Sequence, residues 1–167
     1  MQVRESIDRA MKPKADYDKL GFAPAVSPGR NQRFFDFTVN RRSLSMLVAN
    51  EQYQRPSVFG WQAARVERKY AHQLLLRERS SLASGRVPLY VCGECGDLGC
   101  GAIAVLVSTL EECVVWSTIG FEGNAFKPKP GPPPEPSSDF PDLRDFYFSR
   151  SEYEAALSRF SAGYPMK

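Results

Sequence analysis

The sequence predicts an α+β fold: an antiparallel sheet of about four or five strands packed against two helices. Three observations lead there. Residues 33–39, RFFDFTV, alternate in polarity and are rich in β-formers. Two more β-rich runs, AIAVLVS at 102–108 and CVVWSTIGF at 113–121, are separated by a short polar stretch and read as a hairpin. Residues 58–78 and 151–160 repeat apolar side chains at spacings of three and four, the pattern of helices with one buried face.

A chain of 167 residues with 43% hydrophobic and 25% charged residues suits one globular domain. It has no run of about 18 apolar residues, so no membrane span is expected. The N-terminal MQVRESIDRAMKPKADYDKL lacks the apolar stretch of about 7–15 residues that marks a secretory signal. A cytoplasmic location is therefore expected, with Cys92, Cys95, Cys100 and Cys113 as thiols or metal ligands rather than disulfides. The net charge of +3 is uneven: residues 1–80 hold 15 Lys or Arg against 8 Asp or Glu, whereas 81–167 hold 7 against 11. Such asymmetry suits either an acidic partner for the first half or neutralisation of one half by the other.

Residues 1–32 read as an irregular N-terminal arm, with a short helix around Arg4–Met11 and then Pro13, Gly21, Pro24, Pro28 and Gly29 as breaks. A single domain follows over 33–167. Its first strand places Phe35, Phe37 and Val39 on one face. Asn40–Arg41–Arg42 turns the chain, and Ser43 caps a short helix from Leu44 to Val48. After Gln54–Arg55–Pro56, Ser57 caps a helix over Val58–Glu78. Its buried stripe is Val58, Trp61, Ala64, Ala71, Leu74, Leu75 and Leu76, and Arg65, Glu67, Arg68 and Lys69 face water. Val87–Cys92 is a buried strand, followed by a knuckle over Gly93–Gly101 and the hairpin. The segment 127–141, KPKPGPPPEPSSDFP, is an extended loop, since proline lacks an N–H and fixes φ. Phe146–Phe148 is a short strand. A helix capped by Ser149 or Ser151, with a Ser151–Glu154 capping box, buries Tyr153, Ala156, Leu157 and Phe160 and ends before Gly163.

The sharpest motif is VCGECGDLGCGA. Cys92–Gly93–Glu94–Cys95–Gly96 resembles half a zinc ribbon, in which two thiolates grip one side of the metal and a glycine permits the turn. The second Cys-x-x-Cys pair is missing; a four-thiolate set would have to recruit Cys100 and Cys113. A redox pair is a second reading, opposed by Glu94 and Asp97, whose charges would raise a thiol pKa. The third reading is a tight glycine-rich turn lined by small side chains, and it is the one preferred. His72 is the only histidine and reads as a partly buried helix residue, which leaves triad chemistry without support. Arg41, Arg42, Arg65, Arg68, Lys69, Arg77 and Arg79 alternate with acids, so a nucleic-acid surface is not expected.

The knuckle and the C-terminal run together resemble a family of small uncharacterised bacterial proteins. The matching residues are Cys95–Gly–Asp–Leu–Gly–Cys100 between LYVC and IAVLV, then Val114–Trp116, then FYFSRSEYEAAL at 146–157; FFDFTVNRRSL at 34–44 suits its first strand and turn. The likeness spans about residues 33–160, with the proline segment as an insertion, and Cys113 lies outside its pattern. It carries no reaction with it. In size and character the chain is similar to immunity proteins that neutralise bacterial toxins.

These readings predict a binding protein rather than an enzyme: a cytoplasmic immunity protein that occludes the active cleft of a toxin, needing no cofactor. Aromatic and arginine side chains dominate interface energetics, so Arg41, Arg42, Trp116, Phe121, Glu122 and Asn124 are the candidate contacts. The alternative is a zinc-stabilised or thiol-dependent enzyme using Cys92, Cys95 and Cys100, with Cys113 completing a metal set.

Overall fold

The strand β1 (Leu20–Ser27) runs antiparallel to β2 (Gln32–Val39), which pairs in turn with the two-residue β3 (Arg42–Ser43). The structure, a computed structural model, describes residues 16–27, 29–48, 50, 54–123 and 138–162. A second antiparallel sheet has the order β4 (Val87–Tyr90), β5 (Ala102–Leu110), β6 (Cys113–Glu122) and β7 (Phe146–Ser149). Among the described residues, three helices complete the α+β fold: α1 (Leu44–Leu47), α2 (Ala64–Leu74) and α3 (Arg150–Ser161). No helix among the described residues is long and apolar enough to cross a membrane.

The fold class is as the sequence predicts, but the strands form two sheets rather than one. The arm expected to be irregular over 1–32 contributes β1 from 20 to 27. Pro24 is tolerated there because β1 is an edge strand and need not donate on its outer side. The expected helix at Arg4–Met11, most of the proline segment and Gly163 lie outside the described residues.

The largest correction concerns residues 58–63. The helix predicted from Val58 to Glu78 spans only Ala64–Leu74. Its first six predicted residues are held otherwise: Gly60 adopts φ +103, and a Cβ there would stand 2.9 Å from the Phe35 backbone nitrogen. Pro56–Phe59 instead bridges the two sheets through backbone bonds, with Ser57 paired to Tyr90. Phe35 N–H donates to Phe59 O (3.0 Å), Val58 N–H to Leu89 O (2.9 Å) and Val91 N–H to Pro56 O (3.0 Å). Glu67, expected to face water, is buried, and its carboxylate accepts from the N–H groups of Gly60 (3.0 Å) and Gln62 (2.9 Å). At the other end the helix stops because Leu76 takes a left-handed φ of +58 and turns outward.

Side-chain hydroxyls complete the junction. Asp36, buried on β2, accepts from Ser43 Oγ (2.5 Å), Ser45 Oγ (2.9 Å) and, across the sheets, Tyr90 Oη (2.5 Å). Ser43 therefore serves Asp36 and makes no side-chain cap to α1; Ser149 likewise precedes α3 without capping it. Around this hub lies an aromatic core. Phe37 meets Tyr90 and Trp116 at ring distances of 5.8 Å each, and Phe59 stacks on Phe160 of α3 at 4.1 Å. Trp116 Nε1 donates to Tyr153 Oη (3.1 Å), which donates to Leu74 O (2.6 Å), so one chain of bonds joins β6, α3 and α2.

Asp18 fastens the far end. It accepts a bidentate pair from Arg144 (2.7 and 3.0 Å), Tyr147 N–H (2.8 Å) and Asn40 Nδ2 (2.8 Å), tying the β2–β3 turn to β7. Burial alone would push this carboxyl up, but the bonds from Arg144, Tyr147 and Asn40 outweigh it and hold it below its ordinary value. A depressed carboxyl contributes stability above its unfolded pKa and loses it as pH falls through the folded one.

Two outcomes follow. In urea titrations, Asp36→Ala lowers stability by about 3 kcal/mol because it strands buried hydroxyls, and Tyr90→Phe lowers it by about 1 kcal/mol. In acid titrations followed by circular dichroism, the wild-type chain loses stability as pH drops below about 3.9, and Asp18→Asn flattens that part of the curve.

Candidate functional site

The knuckle is built by the end of β4 and the approach to β5. Cys92 follows β4, and a 3-10 turn at Leu98–Cys100 leads through Gly101 into β5. Gly96 takes φ +67, a conformation that side chains resist, and its N–H bonds back to Cys92 O at 2.9 Å. A Cβ at Gly96 would also press on Gln62 Oε1 at 2.8 Å. Asp97 caps the next turn by accepting from Gly99 N–H at 2.9 Å, while Glu94 pairs with Arg30 at 3.1 Å.

This geometry gathers three thiols. The sulfurs of Cys92, Cys95 and Cys100 all lie within 4.8 Å of one another, and Cys95 and Cys100 are 3.6 Å apart. Cys92 is half-buried; Cys95 and Cys100 are exposed. Asp97 N–H points at Cys95 Sγ (3.3 Å). Donation from the backbone N–H groups of Cys95 and Glu94 pulls the Cys92 thiol down to about 7, and the neighbouring sulfurs of Cys95 and Cys92 push Cys100 up to about 11. At Cys92 the backbone donors lower the thiol, the opposite of the rise expected from the charges of Glu94 and Asp97.

Cys113 does not join them. It is buried at the start of β6, paired with Leu110, while Glu122 at the other end of that strand pairs with Ala102 beside the knuckle. The ten residues of β6 place the two ends about 30 Å apart at roughly 3.3 Å per residue. A set that includes Cys113 is not assembled.

The predicted contact residues also scatter. Trp116 is fully buried and belongs to the core. Glu122 holds Arg86: its Oε1 accepts from Arg86 Nε (3.1 Å) and Nη2 (3.0 Å) and from Ser84 Oγ, with both charged side chains largely buried. Arg41 and Arg42 are exposed at the β2–β3 turn, at the opposite end of β2 from Gln32, which lies against Gly93 of the knuckle. Asn124 lies outside the described residues. Among the predicted contacts that are described, only Phe121 is large, apolar and substantially exposed, at 48%; the other exposed large apolar side chains among the described residues, Val26, Met46 and Leu76, were not predicted contacts.

Phe121 sits beside the knuckle. A Cβ on Gly101, at φ +87, would fall 2.4 Å from its ring, so only glycine admits that contact. Arg55, which sequence reasoning did not single out, lays its guanidinium over the ring at 5.1 Å and donates to Gly101 O (3.1 Å) and Cys100 O (3.3 Å). Nothing local to Arg55 announces this; its partners are more than forty residues away. Cys95, Cys100, Arg55 and Phe121 therefore share one end of the four-stranded sheet.

Three surface grooves, of about 250, 140 and 310 Å³, lie elsewhere and contain none of the cysteines and not His72. The first is lined by Leu74, Leu75, Leu76, Thr109, Val114, Arg150, Tyr153 and Glu154.

No family model matches this chain, and neither a curated protein nor a solved structure matches it.

Because Glu122 neutralises a buried guanidinium, Glu122→Ala costs about 3 kcal/mol in chemical denaturation, and once folded the variant keeps the reactivity of its exposed thiols.

Proposed function

We propose that this protein acts by binding a protein partner, and that the partner is a toxin domain whose active cleft it occludes in the cytoplasm. One observation carries the binding reading: an exposed aromatic ring, Phe121, held in place by a glycine contact and covered on one side by Arg55. Aromatic and arginine side chains that are pre-ordered before binding lose little entropy on docking and dominate interface energetics. The ring is fixed by Gly101 and by strand pairing to Ile103, so its orientation is already set. The class of partner comes from the likeness in size and character to immunity proteins.

The contact set narrows accordingly. Phe121 and Arg55 are its centre. Arg41 and Arg42 lie at the other end of β2 and belong to a separate surface, while Trp116 and Glu122 support the fold.

The test is co-expression with the product of the adjacent gene. The wild-type chain protects cells and co-purifies with that product. Phe121→Ala, folded by circular dichroism, weakens binding by about 30-fold or more, the size of an interface hot spot; Arg41→Ala changes it little. Absence of binding to that product, or full protection by Phe121→Ala, contradicts the reading.

A further inference from the structure

We propose that Cys92, Cys95 and Cys100 form a zinc site with three protein thiolates and a fourth position open to water or an incoming ligand. The partner-binding reading is independent of it.

The geometry is the argument. A tetrahedral zinc with Zn–S bonds of about 2.3 Å sets its sulfurs roughly 3.8 Å apart. The three sulfurs lie within 4.8 Å of one another, with Cys95 and Cys100 at 3.6 Å, so closing around an ion takes side-chain adjustments of about an ångström. The Cys95–Cys100 distance is well beyond the S–S bond of about 2.05 Å. Soft thiolates favour zinc over hard cations such as magnesium or calcium.

The backbone is shaped for the same task. Gly96 at φ +67 lets the chain fold back so that Cys92 and Cys95 face one point. Asp97 N–H aimed at Cys95 Sγ at 3.3 Å offers a hydrogen bond to a metal-bound thiolate. Arg55, donating to Cys100 O at 3.3 Å, places a cation beside a site whose three thiolates and one zinc sum to a negative charge. The nearby carboxylates are otherwise engaged, Asp97 with Gly99 N–H and Glu94 with Arg30. Cys113 is excluded by its place at the far end of β6. Binding replaces the protons of the thiols by zinc and releases them to the buffer.

The experiment uses the reduced, chelator-stripped full chain, titrated with Zn²⁺ against a chromophoric chelator and with Co²⁺ by absorption. The expected result is one ion per chain and a sulfur-to-cobalt charge-transfer band. Cys95→Ser and Cys100→Ser, both at exposed positions and checked for folding by circular dichroism, each weaken Zn²⁺ by more than about 100-fold, beyond what an outer-shell partner is worth. Cys113→Ser leaves affinity unchanged. A folded chain that takes up no stoichiometric Zn²⁺, or Cys95→Ser and Cys100→Ser variants that bind like wild type, overturns the proposal. A chain that loads zinc yet fails to protect cells refutes the partner reading and leaves the site standing.

Discussion

The junction between the two sheets is the constraint on which the rest of the molecule depends. Neither sheet could close the core alone: the small one has two full strands, and the large one buries residues along most of β5 and β6. Pro56–Phe59 supplies the missing backbone pairing, giving bonds to β2 on one side and β4 on the other. Asp36 adds a buried carboxylate whose hydroxyl donors come from both sides. A buried carboxylate without such donors would be strongly destabilising; with them it fixes the register in which Phe37 meets Tyr90 and Trp116.

That register sets the knuckle. Val91 N–H bonds to Pro56 O immediately before Cys92, and Arg55, one residue before Pro56, reaches across to Gly101 and Cys100. The link that joins the sheets therefore also positions the thiols against the start of β5. Phe121, paired with Ile103, is carried to the same place by the β5–β6 hairpin. The three thiols, the arginine and the aromatic ring form one surface because a single backbone connection serves all of them.

The parts legible in the sequence were those set by local periodicity. β2, the β5–β6 hairpin and α3 emerge where alternation or three-and-four spacing is strong, and Tyr153, Leu157 and Phe160 are buried as the spacing requires. Residues 58–63 were not legible: their helical pattern is overridden by Gly60 packed on β2, an interaction with residues far along the chain. β1 was hidden by Pro24 and Gly21, residues that an edge strand accepts. Trp116 reads as a contact in the sequence because an aromatic in a strand looks alike whichever face it occupies; the fold buries it. Nothing near Glu122 in sequence reveals its partner, because Arg86 is 36 residues away. The cysteine spacing marks the knuckle and the motif already leaves Cys113 outside it; the fold adds the distance, placing Cys113 at the far end of β6.

The central claim is that the Pro56–Phe59 link holds the thiols, Arg55 and Phe121 as one unit, so that a metal taken up by the thiols is felt by all of them. It is tested most directly by recording amide spectra of the isotopically labelled, reduced chain during Zn²⁺ addition. The account predicts that resonances of Cys92–Gly101, Arg55 and Phe121 shift together and saturate at one equivalent, while Asp36, Trp116 and Tyr153 stay fixed. An unchanged spectrum, or shifts spread through the aromatic core, would contradict it.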